Sequence, residues 1–111
     1  SGPVLDRIDI CVFVEKLKQE DMKKIVDSKT VQSESSKLRS LVCATRMRLA
    51  TCPPQLDSAA KDMLLAASKT LGLTGRGIKS AMRLAITIAA LEEKTVAGVA
   101  HAAEALQYRR R

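Results

Sequence analysis

The sequence predicts a mainly α-helical fold with one short β-strand near its N-terminus. Apolar residues recur at helical spacing over most of the chain after residue 14, whereas residues 8–14 form an almost continuous apolar, β-prone run. Aromatic residues make up only 2% of the 111 residues. A large β-sandwich is therefore disfavoured, since such folds draw heavily on aromatic and β-branched side chains.

Residues 8–14 are typical of a strand that is buried on both faces. No second convincing strand follows in the sequence. A single buried strand cannot satisfy its own backbone hydrogen bonds. We therefore expect its partner strands to lie outside this sequence or in another subunit, which would make the chain a piece of a larger protein.

The rest of the chain predicts helices over residues 19–28, 34–50, 58–71, 75–92 and 96–108. Capping residues mark the last three: Asp57 or Ser58, Thr74 or Gly75, and Thr95 at their N-termini, and Gly72 after the third helix. Residues 29–36 are the most polar stretch and predict a flexible connector, and Cys52-Pro53-Pro54 ends the second helix.

The predicted fourth helix has two different faces. At 100° per residue, Arg76, Lys79 and Arg83 fall on one side, and Ser80 and Thr87 lie beside them. The opposite side is apolar: Ile78, Ala81, Met82, Ala85, Ile88 and Ala89. Arg76 opposes the helix dipole, at a cost of about 0.3–1 kcal/mol. Such an arginine is a candidate phosphate ligand, because a guanidinium binds oxyanions bidentately, and a solvated basic face is the alternative.

The net positive charge of the chain indicates an anionic partner but does not identify which kind. The net charge is +7, which favours nucleotide phosphate, nucleic acid or an acidic surface. In the segment Asp6-Arg7-Ile8-Asp9, Arg7 either pairs locally with an aspartate or reaches a ligand or subunit from the rim of a sheet. The terminal run 109–111 predicts a solvated helix end, and His101 predicts a packed or surface helix residue.

Several sites are not expected in this chain. It has no GxxxxGK[ST] loop and no acidic strand end for magnesium, so alone it should not hydrolyse a nucleotide. A single histidine and three scattered cysteines predict no metal site, and the cysteines are expected as reduced thiols, mostly in the core, in the cytoplasm. No apolar run reaches the roughly 18–20 residues of a membrane span, so no membrane contact is expected.

Three segments resemble magnesium-chelatase-like AAA+ ATPases of the ComM-type branch. Residues 1–9, SGPVLDRID, are similar to the family's SGPLLDRIDL. Residues 73–92 resemble its LSxRxxxxxLRxARTIADLEG, and residues 101–109 resemble its HIxEAxxYR close. The segments come in the family's order and span both ends of the chain, whereas residues 16–56 match weakly.

The resemblance implies that residues 1–14 end an AAA+ core and that residues 15–111 form the helical-bundle C-terminal lid. It implies that Arg7 is the arginine finger, which reaches the nucleotide of the adjacent subunit. Arg76 would be the sensor-2 residue, contacting the γ-phosphate in its own subunit, and Arg83 would help bind the nucleotide or contact DNA.

By the same resemblance, ATP with Mg²⁺ would be bound by the full-length parent, and this chain alone would hold no cofactor. Implied partners are the upstream AAA+ core, neighbouring subunits of a hexameric ring and, as a further candidate, DNA. The family carries additional arginines where this chain has Ser80 and Ile86, which lowers the positive charge of that face.

The resemblance implies a parent that is a DNA-remodelling or branch-migration motor. Two alternatives stay open. One is the motor subunit of a magnesium chelatase, which inserts magnesium into a porphyrin. The other belongs to a different class, a stand-alone basic helical module that binds nucleic acid through its net charge of +7.

Overall fold

The computed structural model describes residues 7–16, 18–27 and 31–109. Helices dominate this part of the chain: α1 (Gln19–Asp27), α2 (Val31–Thr51), α3 (Ser58–Leu71), α4 (Gly75–Leu91) and α5 (Val99–Gln107). Two very short strands, β1 (Gln55–Leu56) and β2 (Val96–Ala97), precede α3 and α5. The prediction of a mainly α-helical fold is confirmed.

The core lies where α3 and α5 pack against α4, with α2 adding a further contact to α4. Its buried apolar residues are Leu56, Ala60, Leu64, Ala81, Ala85, Ile88, Ala89, Ala97, Ala102 and Ala105. Most of them are alanines, whose small side chains let helix axes approach closely. The predicted apolar face of α4 is therefore the face that packs.

The predicted caps of α3 and α4 are present in the structure. The Asp57 side chain accepts a hydrogen bond from the Ala60 amide at 2.7 Å and starts α3. Gly72 ends α3 with a left-handed φ of 66°. The Thr74 hydroxyl accepts from the Gly77 amide at 3.1 Å and starts α4.

The predicted start of the last helix is wrong. Residues 96–97 form β2, which pairs with β1 in parallel, Gln55 opposite Val96 and Leu56 opposite Ala97. The helix begins only at Val99, with Gly98 in place of Thr95 as its N-cap. A strand of two residues is too short to show the alternating pattern of a β-strand in the sequence. Helical spacing therefore predicted a helix that starts three residues too early.

The predicted N-terminal strand is also absent: residues 8–14 adopt no regular secondary structure. The physical reason is that a strand needs a partner for its backbone groups, and the described segments provide none beside it. Phe13 is 90% exposed, and Val12 and Val14 are exposed as well. The Cys11 amide instead donates to the Tyr108 carbonyl at 2.6 Å, just after α5.

The N-terminal helices stand partly apart from the core. Met22 and Val26 of α1 are exposed, and so are Leu38 and Val42 in α2. The radius of gyration is 16.8 Å, against about 13 Å for a compact domain of this length. The predicted flexible connector is helical over residues 31–36, and its first two residues lie outside the described part of the chain.

Two of the three cysteines depart from the expected core positions. Cys43 and Cys52 are exposed free thiols, and Cys11 is half-buried. Both exposed thiols lie on the second half of α2 or just after it, where that helix is largely open to solvent. Among the described helices, none has the length and apolar character needed to cross a bilayer.

Candidate functional site

Three arginines converge on one cleft of about 330 Å³. The cleft is lined by Arg7, Asp9, Arg76 and Arg83. Arg76 and Arg83 are seven residues apart, which is two turns of α4, so they share a face of the helix. Arg7 and Asp9 come from the irregular segment before α1. We define these four residues as the arginine cleft, in which three cations outnumber one carboxylate.

Local structure in α4 presents two of these arginines to solvent. The Thr74 cap fixes the start of the helix, and the buried alanines of its other side fix its rotation. Arg76 and Arg83 are consequently exposed, as predicted. Arg76 sits in the first turn, where the partial positive charge of the helix terminus adds to its own. An anion would relieve this concentration of positive charge.

Long-range hydrogen bonds hold the segment that carries Arg7. Ser80 of α4 donates from its hydroxyl to the Asp9 carboxylate. Arg109 donates from Nη1 to the Ser80 hydroxyl at 3.2 Å and to the Ile8 carbonyl at 3.3 Å. With the bond from the Cys11 amide to Tyr108, the segment is tied both to α4 and to the end of α5.

These contacts correct two sequence-based interpretations. Ser80 was expected beside the cations on the outer face of α4, but it is only 2% exposed because the N-terminal segment covers it. Arg109 was expected at a solvated helix end. It is instead half-buried and donates hydrogen bonds to the Ile8 carbonyl and the Ser80 hydroxyl. Asp6, Arg110 and Arg111 lie outside the described residues.

A second depression of about 650 Å³ adjoins the arginine cleft along α4 and shares Arg76 and Arg83 with it. Lys79 belongs to this groove and not to the arginine cleft. The half-buried side chains of Met82 and Ile86 contribute an apolar floor. The predicted cationic face of α4 thus exists, and its two arginines connect the groove to the cleft.

His101 is a packed helix residue, as predicted. Its Nδ1 accepts a hydrogen bond from the Gly98 amide at 3.0 Å, which caps the start of α5. Because Nδ1 is the acceptor, Nε2 carries the proton and donates to the Glu92 carboxylate at 2.7 Å. This pairing orients the ring for a structural role. Within the described ranges, no cluster of three or more potential metal ligands occurs.

Comparison with known proteins identifies the family. The sequence model of the family described as "Magnesium chelatase, subunit ChlI C-terminal" matches residues 19–109. A search among curated proteins found no match. The matched range includes Arg76, Arg83, Ser80 and Arg109, whereas Arg7 precedes it. Since the match covers all five helices and most of the chain, the protein belongs to the family of magnesium chelatase ChlI C-terminal domains.

Proposed function

We propose that this chain is the helical lid of a ring-forming AAA+ ATPase and that its arginine cleft binds the terminal phosphate of a nucleotide. The observation that carries the proposal is the convergence of Arg7, Arg76 and Arg83 on one cleft. Family membership supports it, because the matched range includes α4, the helix that carries Arg76 and Arg83. In this proposal residues 1–14 end the ATPase core and residues 15–111 form the lid.

The proposed roles follow from the chemistry of phosphoryl transfer. Negative charge spreads over the oxygens of the transferring phosphoryl group, and positioned cations stabilise it. Arg7 acts as the arginine finger, Arg76 as sensor 2, and Arg83 as a further ligand of the phosphate oxygens. ATP and Mg²⁺ are bound mainly by the upstream core, which supplies the phosphate loop that this chain lacks.

The shared cleft changes one expectation from the resemblance. The resemblance assigns Arg7 to a neighbouring subunit's nucleotide and Arg76 to the nucleotide of its own subunit. Both side chains line a single cleft in one chain, which places them at the same site. We therefore propose that the two arginines act together on the nucleotide held by an adjacent subunit in the ring.

Mutation of the full-length ATPase tests this function. We expect Arg7→Ala to lower kcat by about 10³-fold or more, as for other arginines supplied in trans, and Arg76→Ala to lower it substantially too. Lys79→Ala is the matched control, since Lys79 lies on the same helix face but outside the arginine cleft. Wild-type ATPase activity in Arg76→Ala would contradict the sensor-2 role, and an active ring of Arg7→Ala subunits would contradict the finger.

Mixed rings test whether both arginines serve the same nucleotide. One preparation combines subunits that lack the phosphate loop with Arg7→Ala subunits, and a second combines them with Arg76→Ala subunits. The arginine variants keep the phosphate loop, and the loop-less subunits keep both arginines. If both arginines act in trans, a complete site forms wherever the arginines of a loop-less subunit face the loop of an arginine variant. Both mixtures should then give the same residual activity, whereas an Arg76 that acts within its own subunit would separate them.

We further propose a cytoplasmic parent that remodels DNA. The similarity of both chain ends to the ComM-type branch and the net charge of +7 support this proposal. The second candidate is the motor of a magnesium chelatase, favoured by the description of the matched family. Stimulation of the full-length ATPase by branched DNA supports the first, and magnesium insertion into a porphyrin with partner subunits supports the second.

A further inference from the structure

We propose that Asp9, Ser80 and Arg109 form a clamp that positions Arg7, so that the three arginines make a preorganised site for a phosphate group. These are positioning residues, because their hydrogen bonds join parts of the protein to one another. The inference rests on the proposed function and adds a specific mechanism to it: the arginine-bearing segment and α4 move as one body.

The clamp is needed because the segment that carries Arg7 has no regular structure of its own. Residues 8–16 form neither helix nor strand, and several of their apolar side chains are exposed. An arginine on a loose segment binds an anion less tightly, because the anion must also order the backbone of that segment. Attachments close to Arg7 meet that ordering cost during folding, before a ligand arrives.

Three attachments occur within the four residues that follow Arg7. The Ile8 carbonyl accepts from Arg109, the Asp9 carboxylate accepts from Ser80, and the Cys11 amide donates to the residue before Arg109. Two of the three depend on the final turn of the chain, and the other depends on α4. The position of Arg7 is therefore set relative to the helix that carries Arg76 and Arg83.

Ser80 is the centre of the clamp. It is almost fully buried, and its hydroxyl both donates to Asp9 and accepts from Arg109. A hydroxyl can serve both neighbours because it has one proton and two lone pairs. Ser80 is the only buried member, and it links Asp9 to Arg109, so loss of its hydroxyl removes two hydrogen bonds of the network at once.

The test relies on two opposite effects that Asp9 can have on anion binding. Its negative charge weakens binding, whereas its role in the clamp strengthens it. Inorganic pyrophosphate is titrated into the whole chain at low ionic strength. A carboxylate that merely neighbours the arginines repels the anion, so Asp9→Ala would tighten binding. A clamp predicts that Asp9→Ala weakens binding by about five- to tenfold, as expected for an arginine that must be ordered by the ligand. Asp9→Asn keeps the hydrogen-bond acceptor and should bind at least as tightly as the wild type.

A second readout follows the segment directly. Hydrogen exchange of the Cys11 amide should speed up at least about tenfold in Asp9→Ala and in Ser80→Ala, since its bond to Tyr108 opens with the clamp. The amide of Ala85 in the core of α4 should keep its wild-type rate, which shows that the fold is intact. Unchanged Cys11 exchange together with unchanged or tighter pyrophosphate binding in Asp9→Ala would overturn the clamp.

Arg7→Ala separates this inference from the proposed function. If Arg7→Ala leaves pyrophosphate binding unchanged, the arginine cleft is not the anion site and the proposed function fails. If Arg7→Ala weakens binding but Asp9→Ala and Ser80→Ala do not, the anion site stands and only the clamp fails. Weakening in all three variants, with Asp9→Asn close to the wild type, supports both.

Discussion

Glu93 is the one described non-glycine residue with a left-handed backbone, at a φ of 61°. It follows α4 in a turn where the Lys94 amide donates to the Ala89 carbonyl at 2.9 Å and the Glu93 amide donates to Ala90 at 3.1 Å. Glycine usually takes this position, because other residues are strained there. Arg48 of α2 stabilises the turn by donating to the Ala90 carbonyl at 2.7 Å and to the Glu93 carboxylate at 2.8 Å.

A double-mutant cycle at Arg48 and Glu93 tests this explanation. We expect Arg48→Ala to lower the free energy of unfolding by about 1–2 kcal/mol, mainly through the lost bond to the Ala90 carbonyl. The exposed ion pair itself contributes little. Glu93→Gly removes the backbone strain, so in the Arg48→Ala background it should restore about 1 kcal/mol. Urea denaturation of the four proteins measures these values, and further destabilisation by Glu93→Gly in that background would contradict the argument.

The role of an individual residue could be predicted from the sequence when its hydrogen-bond partner lies close to it along the chain. Asp57 and Thr74 were predicted as caps because each bonds to an amide only three residues on. The arginines on α4 were predicted because helical spacing places them. The clamp was not predictable, since Ser80 meets Asp9 across 71 residues of sequence and Arg109 across 29. No local pattern encodes such a distance, and so the shared cleft of Arg7 and Arg76 emerged only from the fold.

At the scale of elements, short connections decide how the helices are oriented. The turn at Gly72 separates α3 from α4, and the paired strands β1 and β2 hold together the starts of α3 and α5. The Gln55 amide donates to Thr95 and the Asp57 amide donates to Ala97, each at 3.1 Å. The turn was predictable from a single glycine after an apolar helix. The strand pair was not, because each strand has only two residues.

Two glycines on either side of the α3–α4 turn give opposite expectations for the same substitution. Gly72 has a φ of 66°, and a Cβ there would meet no atom within 4 Å. Gly72→Ala should therefore destabilise the protein by about 1–2 kcal/mol through backbone strain alone. Gly75 is equally open but helical, so Gly75→Ala should be neutral or stabilise by up to about 1 kcal/mol. Thermal unfolding of both variants measures the contrast, and equal shifts for the two would show that the turn is not strained.

At the scale of the whole molecule, apolar side chains are buried in the C-terminal helices and exposed on the N-terminal ones. The core of α3, α4 and α5 is closely packed and rich in alanine, whereas α1 and the first half of α2 leave Met22, Val26 and Leu38 exposed. The apolar spacing predicted both helices, although α2 begins at Val31, three residues before its predicted start. It did not predict that these faces would stay open, because spacing indicates which side of a helix is apolar and not whether another element covers it.

This division predicts two levels of local stability in one chain. Amides of α4 and α5 should exchange with solvent only through global unfolding, whereas amides of α1 should exchange through much cheaper local opening. Leu64 is among the largest fully buried side chains, so Leu64→Ala should lower the free energy of unfolding by about 2–5 kcal/mol and speed exchange throughout the core.

Val26→Ala is the matched control for this prediction, because Val26 is 83% exposed on α1. It should change the free energy of unfolding by less than about 0.5 kcal/mol and leave exchange in the core at the wild-type rate. If Val26→Ala instead slowed or accelerated exchange in α4, then α1 would be coupled to the core. Wild-type exchange in α4 would fit the proposed function, because the core would then hold Arg76 and Arg83 in place while α1 opens locally.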